Sequence, residues 1–136
     1  MSGDPAGRPK GEGATVLVVD DNSDNLLFMS EILEKHGFAV HCANDGPSAL
    51  RLLEQHRPGV ILLDIMMPGM DGMEVLDRIK GNPTYAEIPV ILVTAKSRDS
   101  DMLAGYKFGA DYYLPKPFTP RQLLYGVGLV LGAPPV

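Results

Sequence analysis

Gly59-Val60-Ile61-Leu62-Leu63-Asp64-Ile65-Met66-Met67-Pro68-Gly69 is the stretch whose reading decides the fold. Its apolar run from Val60 to Leu63 shows no alternation. That is the pattern of a strand covered on both faces, as in a parallel sheet with helices above and below. The run stops at a carboxylate, Asp64, and Pro68-Gly69 signals a turn soon after. An acid that closes a buried strand costs free energy unless something compensates for its lost hydration. The rest of the chain can be searched for that compensation.

Working outward, similar apolar runs recur on both sides. Thr15-Val16-Leu17-Val18-Val19 ends in Asp20-Asp21, and Pro89-Val90-Ile91-Leu92-Val93 ends in Thr94-Ala95. Asp111-Tyr112-Tyr113-Leu114 is closed by Pro115-Lys116-Pro117, and Phe38 to Ala43 makes a further short strand. Helical patterns lie between them. Asn22-Ser23-Asp24 offers N-cap chemistry for a helix to about His36, with Leu26, Leu27, Met29, Ile32 and Leu33 on its apolar face and Gly37 as its stop. After an Asn44-Asp45-Gly46 turn, a second helix runs through Ala49, Leu50, Leu52 and Leu53 to about His56. A third covers roughly Gly72 to Lys80 and is broken by Asn82-Pro83; a fourth runs from about Arg98 to Phe108 and stops at Gly109. The last begins near Thr119, with Pro120 in its first turn. Five strands alternating with five helices predict an α/β fold. The expected form is a flavodoxin-like, doubly wound five-stranded parallel sheet of order 2-1-3-4-5.

Length and composition bound the rest. A chain of 136 residues, with 45% hydrophobic and 21% charged residues, suits one domain with a real core. We place that domain at 14–131, with a flexible tail at 1–13 and a C-terminal tail, or the start of a linker, at 132–136. The formal charge of −5 weighs against direct nucleic-acid binding, which needs a basic footprint. The single cysteine, Cys42, excludes an internal disulfide, fits a reducing compartment, and reads as a core residue. No apolar run approaches a membrane span, and Met1 to Gly7 has no signal-peptide character, so the expected location is cytoplasmic.

The polar residues that interrupt the apolar runs are Asp20 and Asp21, Asp64, Thr94 and Lys116, each at the carboxyl end of its strand. In an open parallel sheet those ends share one edge, and ligands bind there at the topological switch point. With the first strand beside the third, Asp20, Asp21 and Asp64 converge. At an effective dielectric of about 20, a close carboxylate pair repels by up to ~4 kcal/mol. Either a cation sits there or one acid stays protonated. Carboxylates and backbone carbonyls suit a hard cation such as Mg²⁺, whereas zinc would want the His or Cys that these loops lack. Taken alone, Asp20-Asp21 reads equally well as a helix cap, and Thr94 or Lys116 as ordinary surface or strand-end residues. Together they supply the inventory for phosphoryl transfer. Asp64 would be the nucleophile and phosphoacceptor, Mg²⁺ and Lys116 would neutralise the phosphoryl oxygens, and Thr94 would offer its hydroxyl to the attached group.

These residues fall in motifs that resemble a known family. Val18-Val19-Asp20-Asp21-Asn22, Leu62 through Gly72, Val93-Thr94-Ala95 and Leu114-Pro115-Lys116-Pro117-Phe118 are similar to the receiver domain of two-component response regulators, over about residues 14–131. The resemblance implies that a histidine kinase or a phosphotransfer protein donates a phosphoryl group to Asp64. It implies direct Mg²⁺ contacts from Asp21, Asp64 and the Met66 carbonyl, with Asp20 acting mainly through water. It also implies a cis Lys116-Pro117 bond and a two-state switch in which Thr94 moves toward the phosphoryl group and Tyr113 turns inward. Met66 and Lys96 would tune dephosphorylation. Such a domain is a phosphoacceptor signalling module that catalyses only its own phosphorylation and dephosphorylation, not an enzyme acting on other substrates.

Other readings compete on output. A flavodoxin-like cofactor binder would need phosphate-cradling donors where this chain has Asp20-Asp21-Asn22-Ser23-Asp24, and a haloacid-dehalogenase-type phosphatase would want an acid where it has Met66. A non-phosphorylated pseudo-receiver would act as a constitutive interaction module, although no member of the constellation is missing. After Leu131 only five residues remain, which fits a stand-alone receiver acting on a downstream protein effector, or a receiver cut from a longer regulator or hybrid kinase. Of the charged pattern of dimerising receivers, only Asp111 and Arg121 are present. The last helix carries Leu123, Leu124, Tyr125, Val127, Leu129, Val130 and Leu131 on more than one face. That surplus fits a partner or homodimer contact, or simply local core packing. His36, His41 and His56 lie off the expected site.

Overall fold

The fold is seen in a computed structural model that describes residues 14–67, 69–95 and 106–132. In chain order the elements are β1 (Thr15–Val19), α1 (Ser23–Lys35), β2 (Ala39–Ala43), α2 (Gly46–Gln55), β3 (Val60–Leu63), α3 (Gly72–Lys80), β4 (Val90–Thr94), β5 (Tyr112–Pro115) and α4 (Pro120–Leu131). All strand pairings are parallel, and the sheet order is β2-β1-β3-β4-β5, as expected. The helix expected over about Arg98–Phe108 falls mostly outside the described residues, as do Pro68, Lys96, the 1–13 tail and residues 133–136. Gly109, its expected stop, has φ of 104°, a left-handed conformation that glycine adopts without a Cβ penalty.

Each strand's apolar run feeds two cores. Leu17 and Val19 of β1, with Ile61 and Leu63 of β3, pack with Ala49, Leu53, Val75, Leu76 and Ile79 of α2 and α3. Their alternates Val16, Val18, Val60 and Leu62 pack with Met29, Ile32 and Leu33 of α1 and with Leu123 and Val127 of α4. Both faces of β1, β3 and β4 are therefore dry, which is why their sequences show no alternation. The edge strand β2 differs. Cys42, expected in the core, is exposed. Among the described residues no strand lies beyond β2, and the thiol sits at this rim, 3.1 Å from Ser30 Oγ. Leu27, expected on the inner face of α1, is 59% exposed, so that face runs through Met29, Ile32 and Leu33.

The four helices bounded above, among the described residues, start on the same device. Asn22, Asp45, Asp71 and Thr119 each accept a hydrogen bond from the amide three residues on, at 2.8 to 3.1 Å. Each such cap stabilises its helix by about 1 kcal/mol. Gly46, expected in a turn, is the first residue of α2. At the amino edge of the sheet, Lys80 Nζ spends all three protons on Ala86 O, Ile88 O and Asp111 Oδ2. Asp111 Oδ2 also accepts from Val90 N at 2.9 Å. Asp111 is thus part of an internal clip that joins α3, β4 and β5. His41 and His56 stack with ring centroids 4.3 Å apart, on β2 and just past α2.

Gly72 connects this framework to the carboxyl edge. Its amide donates to Ile65 O at 2.9 Å, and a Cβ at this position would run into the Asp64 carbonyl and the Ile65 backbone. A backbone cannot step aside as a side chain can. Gly72→Ala should therefore cost about 3 kcal/mol, the upper end for overpacking. Gly126→Ala meets side chains instead, the Tyr112 ring at 2.9 Å and Ile91 Cδ1 at 3.8 Å, and gains up to about 1 kcal/mol of helix propensity. Urea unfolding of the two variants should show a much larger loss for Gly72→Ala.

Candidate functional site

The register of the sheet assembles the site. Val19 of β1 lies opposite Leu63 of β3, so the next residues, Asp20 and Asp64, leave the sheet side by side. Asp64 N donates to Val19 O at 3.0 Å and Asp20 N to Ala43 O at 3.1 Å, which continue the ladders one residue past the strands. Thr94 lies opposite Pro115, and Lys116 N donates to Thr94 O at 2.9 Å. Four strand ends thus deliver Asp20, Asp64, Thr94 and Lys116 to one edge. Asp21 follows in the β1–α1 loop. The Lys116-Pro117 bond is cis, as the resemblance implied.

Asp20, Asp21 and Asp64 each offer a carboxylate oxygen, and these oxygens lie within 4.8 Å of one another. Asp20 is the buried anchor, its side chain only 1% exposed. Its Oδ1 accepts from Asn22 N at 2.9 Å, and its Oδ2 accepts from Lys116 Nζ at 2.7 Å and from Asn25 Nδ2 at 3.4 Å. Asp64 Oδ1 accepts from Met66 N at 3.0 Å, and its Oδ2 lies 3.5 Å from Lys116 Nζ. One ammonium therefore bridges two buried acids. Burial pushes the Asp64 carboxyl above its ordinary value; the Met66 amide and the Lys116 charge act in the opposite direction, Asp20 adds to the rise, and the Thr94 hydroxyl lowers it. Asp21, by contrast, is exposed.

The donor set fits a hard divalent cation. Three carboxylates against one ammonium leave an excess of two negative charges, and oxygen is the only ligand type on offer. The acidic cluster is therefore compatible with Mg²⁺. Thr94 is buried at the end of β4, and Ala95 beside it is exposed. Tyr113 is buried in β5, opposite Leu92 and so two positions back from Thr94. It packs with the α2–α3 core. Met66 is exposed, with its amide tied to Asp64.

Two features escaped the sequence. Asn25 helps hold Asp20 from the first turn of α1, and its only signal was its position five residues on. Phe28, with Phe118 from the loop before α4, forms an aromatic pair with centroids 5.8 Å apart. These rings, with Asn25, Met29, Ala95 and Pro117, line a crevice that opens beside Lys116. Neither ring belongs to a periodic pattern pointing there, because α1 and the last loop meet only in three dimensions.

A doubly wound parallel sheet with a lysine-bridged acidic cluster at its switch point defines a class of α/β domain whose chemistry sits on one edge. The chain belongs to the response regulator receiver domain family, whose model matches residues 16–127. Solved structures agree. It is similar to the chemotaxis protein CheY4 of Vibrio cholerae, at 32% identity and a TM-score of 0.83 over 87% of this chain and 98% of that one. A response regulator from Chloroflexus aurantiacus matches at 31% identity and a TM-score of 0.85, over 89% and 99% of the two chains. The signal receiver domain of a signal transduction histidine kinase from Syntrophus aciditrophicus matches at 32% and 0.81, over 88% and 91%. Receiver domains are signalling domains of two-component systems rather than enzymes acting on separate substrates. Among the described residues, no helix is long and apolar enough to cross a membrane.

The raised Asp64 value has a sign that can be checked. A carboxyl whose folded-state value lies above its unfolded value of about 4 favours folding when protonated. That contribution is complete below the unfolded value and is lost as pH rises through the folded one. Asn imitates the protonated form. In metal-free protein, Asp64→Asn should raise the thermal midpoint at pH 7, and the gain should shrink as pH falls toward 4. An equal or larger gain at pH 4 would contradict the burial argument.

Proposed function

We propose that this domain accepts a phosphoryl group on Asp64 from the phosphohistidine of a histidine kinase or phosphotransfer protein. The observation that carries the reading is the Lys116 ammonium set between Asp20 and Asp64, 2.7 and 3.5 Å from their carboxylate oxygens. An Asp64 oxygen attacks phosphorus, a P–O bond forms, and the P–N bond to the donor imidazole breaks. The imidazole leaves with the electron pair and takes up a proton. Lys116 follows the new negative charge, exchanging part of its contact with Asp64 for a phosphoryl oxygen. Mg²⁺ would be held by Asp20, Asp21, Asp64 and the backbone carbonyl of Met66. When bound, such a cation supplies positive charge to the phosphoryl oxygens.

Thr94 and Tyr113 form the switch in this reading. Thr94 turns its hydroxyl toward the attached group, and the Tyr113 side chain, already buried, is stabilised in that inward state. Phosphorylation biases a two-state surface, which a downstream protein effector reads. In this reading the domain spans 14–131, with an N-terminal tail at 1–13 and a C-terminal tail, or the start of a linker, at 132–136. It works without direct contact to nucleic acid, in the cytoplasm, and catalyses only its own phosphorylation and dephosphorylation.

Intact mass after incubation with acetyl phosphate and Mg²⁺ tests the chemistry. Wild type should gain one phosphoryl group, and Asp64→Asn none. No adduct on wild type would move the protein to a constitutive interaction module. Mg²⁺ at a hundredfold excess over its dissociation constant should stabilise wild type by about 2.7 kcal/mol. Asp21→Ala should lose most of that shift in a thermal melt while keeping its metal-free stability, because Asp21 is exposed.

A further inference from the structure

Met66 differs from the other described methionines. Of the seven in the chain, Met29 and Met67 are buried, and Met70 and Met73 pack partly buried against the core. Met1 and Met102 lie outside the described residues. Met66 is 53% exposed. Its amide donates to Asp64 Oδ1 at 3.0 Å, and with an N–Cα bond of about 1.5 Å its Cα stays within about 4.5 Å of that carboxylate oxygen. The thioether is therefore open to a dissolved oxidant and tethered beside Asp64. Its sulfur is a weak hydrogen-bond acceptor, whereas a sulfoxide is polar.

We propose that Met66 is an oxidation site, with a peroxide as oxidant, and that its sulfoxide shortens the life of a phosphoryl group on Asp64. The inference rests on the acceptor role argued above. In the first step sulfur attacks the peroxide O–O bond and keeps one oxygen, while the other leaves as water. Sulfur loses two electrons and the peroxide gains them. In the second, the sulfoxide oxygen accepts a hydrogen bond from a water beside the acyl phosphate and orients it. That water attacks phosphorus, the P–O bond to Asp64 breaks, and the carboxylate leaves with the electron pair. Inorganic phosphate departs carrying the water's oxygen. The unmodified thioether is a weak hydrogen-bond acceptor and orients water poorly. Because sulfoxide formation is enzymatically reversible, the modification would act as a switch rather than as damage.

The full chain, treated with hydrogen peroxide, allows a direct test. Peptide mapping should find sulfoxide at Met66 before Met29, Met67, Met70 or Met73. After loading with acetyl phosphate and Mg²⁺ and removal of the donor, decay of the adduct should be faster in treated than in untreated protein. The expected rise is about threefold to tenfold, the rate equivalent of one net hydrogen bond. Met66→Leu, compared with its own untreated control, should show no change on treatment, and methionine sulfoxide reductase should restore the wild-type rate. Slow oxidation at Met66, an unchanged decay, or an equal acceleration in Met66→Leu would each overturn the proposal alone. Absence of any adduct on untreated protein would overturn the acceptor reading and this inference with it.

Discussion

Two buried aspartates can share one edge of this sheet because a lysine ammonium stands between them. At an effective dielectric of about 20 and a separation of about 4 Å, their repulsion reaches ~4 kcal/mol, comparable to much of a domain's net stability. Lys116 offsets it at 2.7 Å from Asp20 and 3.5 Å from Asp64. The balance is incomplete, since Asp21 adds a third carboxylate and burial still pushes the Asp64 carboxyl upward. An edge left with surplus negative charge is compatible with a divalent cation.

That balance depends on backbone rather than on side-chain reach. Lys116 is held by its own amide on Thr94 O, and Asp64 by its amide on Val19 O. The ladder hydrogen bonds of the parallel sheet therefore set the spacing of the charged groups. At the opposite edge the Lys80 clip ties α3 to the starts of β4 and β5, and so fixes the register of the strands that carry Thr94 and Lys116 at their far ends. Gly72 closes the remaining side by letting α3 begin against the Asp64 carbonyl. A site built this way holds Asp20 and Asp64 on the strand ladders and is open at its mouth, where Met66 and the Phe28–Phe118 crevice meet solvent.

The chain uses aspartate for two jobs that look alike in one dimension. Asp45 and Asp71 cap helices, each accepting the amide three residues on. Asp20 and Asp64 also accept local amides, but two residues on, and they face Lys116 instead of solvent. What separated the groups in the sequence was the run before each acid. An unbroken apolar run identifies a strand with both faces covered, so an acid at its end lies at the sheet edge. Reading the strand ends together thus located Asp20, Asp64, Thr94 and Lys116.

By itself the sequence determined the strands, their parallel arrangement and the residues at their carboxyl ends, because those follow from local periodicity and from the cost of burying charge. Only the tertiary structure decided which side chains meet. Cys42 proved exposed on β2, the edge strand among the described residues, and Leu27 because the inner face of α1 turns on Met29 and Leu33. Asn25 reaches Asp20, His41 stacks on His56, and Lys80 finds Asp111, each through neighbours far away in the chain or around a turn. Periodicity reports which face of an element is apolar, but a polar contact also needs the partner's position and distance. Those are set only when the layers close on the sheet.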